Sequence, residues 1–90
     1  MGLWMVWEVT GIASAGEDVR DTEGAVKAFD LPMEHIRAHA GLSAFRQQML
    51  VESAREMRRQ MLTEGRAAVR DGLPWCAALG DVTVMLQPRK

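Results

Sequence analysis

The chain opens on a stretch whose polarity has the period of a strand. Leu3-Trp4-Met5-Val6-Trp7 is apolar on both faces, and from Trp7 onward Trp7 and Val9 point one way while Glu8 and Thr10 point the other. This predicts a strand from Leu3 to Ala13, buried on both sides at its start and half-solvated further on. Residues Ser14 to Asp21 are polar and include Gly16, which predicts a loop. Asp21 or Thr22 is placed to cap a short helix reaching about Phe29, with Glu23 favouring the helix dipole in its first turn. Asp30-Leu31-Pro32 reads as a restart, an N-cap followed by a proline in the first turn of a second helix that runs to Ala40 and stops at Gly41.

The period then lengthens. Ser43 caps a stretch from Ala44 to about Asp71 that contains no proline. Phe45, Met49, Leu50, Ala54, Met57, Met61, Leu62, Ala68 and Val69 recur at steps near three and four, one apolar stripe along a helix. Gly65 is its weak point, costing ~1 kcal/mol against alanine and marking a break or a close backbone crossing. Gly72-Leu73-Pro74 is a stop signal. Two apolar runs follow, Trp75 to Leu79 and Val82 to Gln87, separated by Gly80-Asp81, which reads as a two-residue hairpin turn; the second run is the better strand, and the Ala-rich first run also fits a helical turn. Pro88-Arg89-Lys90 is expected to be a frayed basic tail.

The order β-α-α-α-β-β predicts one small α+β domain over residues 1–90, a two- or three-stranded antiparallel sheet packed on one long amphipathic helix. Ninety residues bury only roughly 60–65% of the surface of the unfolded chain, so stability is expected to be thin. The apolar start of the first strand is too extensive for a strand open to water. It points to a symmetric homodimer, with first strands paired edge to edge or long helices packed across a two-fold axis; the alternative is a monomer whose other two helices cover the second face of the sheet. Trp4 and Trp7 fall on opposite faces because their separation is odd. Trp7 is assigned to the face under the long helix and Trp4 to the margin of a second surface.

Charge adds a division that the net value of −1 hides. Residues 1–42 carry three cations against seven acids, and residues 43–90 carry eight cations against five acids. The halves are expected to attract each other, and no global field draws the chain to nucleic acid or an anionic membrane. The apolar run Met1 to Trp7 is far short of the ~20 residues of a membrane span. It lacks the basic flank of a secretory signal, and Val6 stands where N-myristoylation needs Ser or Thr. Cys76 is the single cysteine, which excludes an internal disulfide and suits a cytoplasmic setting. Its apolar neighbours predict a buried thiol.

Candidate chemistry is sparse. His35 and His39 share a helix face at i,i+4, but the order is not His-Glu-x-x-His and no third ligand stands at a familiar spacing, so they read as surface histidines. The segment Gly11 to Gly16 follows a strand but lacks the G-x-G-x-x-G pattern, and the acids after it would repel phosphate. No serine sits in a nucleophile elbow, and no carboxylate pair has a partner base. No catalytic residue, cofactor or metal is assigned. The best cation cluster is Arg46, Arg55, Arg58, Arg59, Arg66 and Arg70, interleaved with Glu52, Glu56, Glu64 and Asp71. Partner contact is assigned to Trp4, Arg55, Arg58, Arg59 and Arg66. The function expected is a non-enzymatic protein-interaction module, a homodimeric small regulator or phage or mobile-element accessory protein. The alternatives are a nucleic-acid-associated regulator using the arginine face, and a small-ligand binder or minor enzyme.

Overall fold

A computed structural model describes residues 2–89. Met1 and Lys90, the first residue of the apolar run and the last of the expected tail, lie outside the described residues. The chain forms β1 (Gly2–Val9), β2 (Ala13–Asp18), α1 (Thr22–His39), α2 (Ala44–Gln60), a π-helical turn (Met61–Gly65), α3 (Arg66–Arg70), β3 (Trp75–Leu79) and β4 (Val82–Arg89). One antiparallel sheet has the strand order β2-β1-β4-β3. The α+β class is as expected. The sheet has four strands where two or three were expected, and the added one is β2.

The helices lie on one face of the sheet. The face they cover carries Leu3, Met5, Trp7 and Val9 from β1 and Val82, Val84 and Leu86 from β4, all buried. In register Met5 stands opposite Leu86, Trp7 opposite Val84 and Val9 opposite Val82. Against them pack Ala25, Phe29, Met33 and Ile36 of α1 and Leu50, Ala54 and Met57 of α2, with Met61 of the π turn. Trp7 lies on the helix-covered face as the alternation predicts, but the helix over β1 is α1, while α2 lies over β3 and β4.

One expected break is absent, and another appears in altered form. Pro32 stands inside α1, which continues unbroken from Thr22 to His39. Proline removes a helix hydrogen bond and crowds the carbonyl four residues back, yet Ala25, Phe29, Met33 and Ile36 form one buried stripe on both sides of it. Tertiary burial of that stripe outweighs the local cost. Asp21 is the N-cap, its side chain accepting from Gly24 N–H at 2.7 Å, and Asp30 is an interior residue rather than a second cap. Ser43 caps α2, accepting from Arg46 N–H at 3.2 Å. The long helix does yield at Gly65, where five residues wind as a π turn. Gly65 is buried, and a Cβ there would stand 3.3 Å from Leu86 Cδ1 and from the Trp75 ring. The expected close crossing and the break are one feature, since the wider turn brings the glycine backbone down onto the sheet. The helix ends as expected, with Gly72 at φ 76. Leu73 N–H donates to Ala68 C=O and Gly72 N–H to Val69 C=O, a Schellman pattern.

β2 has no apolar period to announce it, and all six of its residues are exposed. It exists because a tight turn, Ile12 N–H to Val9 C=O with Gly11 at φ 74, returns the chain along the free edge of β1. Main-chain bonding to β1 then holds it, with the Asp18–Arg89 pair at its end. β1 is consequently an interior strand, and the first-strand edge pairing considered for a dimer is closed off. The expected tail is also strand, since Pro88 and Arg89 belong to β4. Leu3 C=O accepts from Val19 N–H, so Leu3 turns its polar groups away from β4. Pro88, opposite Leu3, therefore points its missing N–H toward the β3 side, where β3 has already ended opposite Leu86. The proline removes no ladder bond.

Trp7→Ala should cost about 3–5 kcal/mol and leave a chain this small largely unfolded, whereas Trp4→Ala should keep its circular dichroism spectrum and a cooperative melt. Gly24→Ala should be costly for a different reason. A Cβ at Gly24 would come 2.2 Å from the Val19 carbonyl oxygen, a backbone atom that cannot swing aside. Overpacking of this kind costs about 1–3 kcal/mol or more, and a drop in melting temperature of roughly 10 °C or more is expected. An unchanged melt would contradict the close approach.

Candidate interaction surfaces

Three surfaces hold the candidate residues, and alternation along the strands creates the first. The face of the sheet away from the helices carries Trp4, Val6 and Glu8 from β1, Thr83, Met85 and Gln87 from β4, Cys76 and Ala78 from β3, and Gly16 from β2. Strand register aligns Gly16, Val6, Met85 and Cys76 as one row across all four strands. No helix lies over it. Met85 is exposed and Val6 is half-buried. Cys76 is exposed rather than buried. Its neighbours Trp75 and Ala77 turn toward the helices, and period-two alternation turns the thiol outward.

Trp4 lies at one end of this bare face, half-buried without any helix above it. Its ring extends over Gly16, where a Cβ would meet Trp4 Cζ2 at 2.7 Å. From the other side the Arg89 guanidinium stands 5.2 Å from the ring centroid, reaching across β1 to Asp18 at 3.2 Å. Such a cation–π contact contributes about 0.5–1 kcal/mol at an exposed site. Trp4 is therefore pinned flat on the sheet.

The arginines lie on the helical layer, on the other side of the sheet from Trp4. The structure does not bring Trp4 together with Arg55, Arg58, Arg59 and Arg66 in one site. Nor do the arginines form a free cationic face. Arg58 Nε donates to Asp30 Oδ1 at 3.0 Å, and Arg66 Nη2 to Glu23 Oε2 at 2.9 Å, tying α2 and α3 to α1. Arg59 pairs with Glu56 one turn back. Arg55 is exposed and makes no ion pair among the described residues. These contacts account for the charged halves of the sequence. Asp18–Arg89, Glu23–Arg66 and Asp30–Arg58 each join an acid of the first half to an arginine of the second.

His35 and His39 stack on the exposed side of α1 with ring centroids 4.5 Å apart, and His39 Nδ1 lies 3.2 Å from His35 C=O. Among the described residues no group of three metal-ligating side chains forms. No helix among them is long and apolar enough to cross a membrane.

The third surface was not anticipated. Phe45 and Met49, expected in the core stripe of the long helix, are 72% and 44% exposed. The first turns of α2 stand off the end of the sheet and leave a cleft of about 260 Å³ between themselves and the β1–β2 and β3–β4 turns. Val9, Ile12, Leu42, Leu50 and Val82 line it beside Phe45 and Met49. Its rim carries the ion pair Arg46–Asp81 at 3.5 Å, both side chains at least half exposed. The sequence signal was present as Leu42, Phe45 and Met49 at steps of three and four, but periodicity alone does not say where the sheet ends beneath a helix.

The Glu56 carboxyl is held down to about 2 by hydrogen bonds from Arg59 and then Gln60. A carboxylate depressed in the folded state contributes stability above its unfolded pKa of 4.5 and loses it as pH falls toward 2. Arg59→Ala should raise the Glu56 titration, followed by carboxyl NMR, toward the ordinary carboxylate range, with the Gln60 hydrogen bond still lowering it. The double change Arg58→Ala with Arg59→Ala should leave the denaturation midpoint at neutral pH almost unchanged, since both pairs are solvent-accessible. A clear loss by chemical denaturation would mean that the Arg58–Asp30 bridge organises the helix pair.

The chain matches no protein-family model, no curated protein and no solved structure, so the reading of its function rests on these surfaces.

Proposed function

We propose that the protein is a non-enzymatic interaction module, a homodimeric small regulator of the phage or mobile-element accessory type that acts in the cytoplasm by binding and modulating a partner protein. The observation that carries this reading is the bare sheet face. A four-stranded sheet covered on one side only presents the row Val6, Met85 and Cys76, with Trp4 pinned beside it, to whatever approaches. A rigid surface of backbone-held side chains loses little conformational entropy on binding. Thr83, Gln87 and Glu8 around the row supply the polar margin common at protein interfaces. The nucleic-acid alternative loses support from the pairing of Arg58, Arg59 and Arg66 with carboxylates, which neutralises the charge that phosphate contact requires. Because β1 is interior to the sheet, self-association falls to the helical layer.

Sedimentation at tens of micromolar should show a species of twice the 10.0 kDa chain mass. A 10 kDa species alone would overturn the homodimer. Met85→Glu should keep the melting temperature and abolish capture of the partner from extract of the source cells. Capture that survives Met85→Glu and Val6→Glu alike would remove the bare face from the reading.

A further inference from the structure

The cleft at the end of the sheet carries an inference that rests on the homodimer reading and deepens it. Phe45 is a phenylalanine 72% exposed beside a concave apolar slot. It lines the mouth of that slot while most of its ring stands in solvent, placed to enter a second slot. Met49, one turn further along α2, forms an adaptable wall beside it. A knob beside a hole on one surface is the arrangement that a two-fold axis satisfies twice, because each copy supplies both parts.

The rim chooses between occupants. It carries one cation and one anion, Arg46 and Asp81, and theirs is the longest of the ion pairs at 3.5 Å. A partner bringing an excess of either charge would match one of the two and oppose the other. A second copy brings the same two charges in reversed order, so that each Arg46 can face the Asp81 of the other chain while keeping its own. The short turn Gly80-Asp81, with Gly80 lying against Ser53, fixes Asp81 on a tight hairpin rather than a mobile loop. The α2 N-terminus, capped by Ser43, likewise fixes Phe45 and Arg46 on a regular helix.

We propose that this end of the molecule is the homodimer interface, an isologous contact in which Phe45 of each copy enters the cleft of the other beneath a crossed set of Arg46–Asp81 pairs. The bare sheet face then remains free for the partner protein, because the cleft opens at the turns that end the strands and not on the sheet face.

The test is a charge-swap experiment read by sedimentation equilibrium on the full chain. Phe45→Glu should weaken dimerisation roughly tenfold or more with the circular dichroism melt retained, because the side chain is exposed in the single chain. Arg46→Asp and Asp81→Arg should each be monomeric when alone. Mixed in equal amounts they should associate, since the mixture restores opposite charges between chains while each chain keeps its own mismatch. Association in the mixture and not in either variant alone is the result expected. A wild-type dimer that persists in Phe45→Glu and in both charge variants would overturn the cleft as interface and leave the homodimer standing. A wild-type chain that is monomeric under the same conditions would overturn both. Dimerisation lost in Arg46→Asp and in Asp81→Arg but not recovered on mixing would show that the pair acts only within each chain, and the crossed pairing would fall.

Discussion

Everything in this fold depends on covering one face of β1 and β4. Leu3, Met5, Trp7, Val9, Val82, Val84 and Leu86 form a continuous buried surface, and a chain of this length has material for one helical layer only. α1 and α2 with its extension are that layer. The consequence is asymmetry. One face of the sheet is core, the other is open, and what the open face carries is decided by the residues that alternate with the core. Trp4, Val6, Met85 and Cys76 lie outside because Leu3, Met5, Val84, Leu86, Trp75 and Ala77 turn inward.

The same constraint explains what was legible in the sequence. Elements anchored by a period or a turn signal were readable: β1, the middle of the long-helix stripe from Leu50 to Met61, the hairpin at Gly80-Asp81, and the opposite faces of Trp4 and Trp7. What failed was decided by neighbours in space. β2 buries none of its residues and is held by hydrogen bonds to β1, so its composition reads as loop. Pro32 reads as a helix start because local rules give proline that meaning, and only the buried stripe from Ala25 to Ile36 overrides it. Cys76 reads as buried because its neighbours are apolar, yet a strand with one covered face sends alternate residues outward. Of the assigned site, Trp4 stands on an open surface as expected. The arginines were recognised as solvent-facing, but their acid partners on α1, distant in sequence, were invisible until the helices were placed side by side.

The charge division shows how a pattern suggestive of intermolecular attraction can be used up within one chain. Three ion pairs join the acidic first half to the basic second half, each across a boundary between elements: α1 to α2, α1 to α3, and β2 to β4. Exposed pairs contribute little energy individually. Their effect is to favour one lateral arrangement of elements whose apolar faces would tolerate several. The Arg89–Asp18 pair has a second effect, since it crosses Trp4 and holds the indole down on Gly16. A side chain that would otherwise be a mobile apolar group becomes part of a flat surface.

Core and surface are largely separable here. The buried side chains come almost wholly from β1, β4 and the inward stripes of α1 and α2. Phe45, Met49 and Met85, the large apolar residues at the cleft and on the bare face, contribute little to that core because each is well exposed. Substituting them changes what the molecule presents without removing what holds it together. The π turn separates the two roles along the long helix. N-terminal to it, α2 runs past the end of the sheet and frees its first turns for contact. At the turn itself, Gly65 draws the backbone against Leu86 and Trp75. A helix seated at its far end and overhanging at its start leaves a cleft where the sheet stops, and the overhanging residues carry little of the burial that holds the fold.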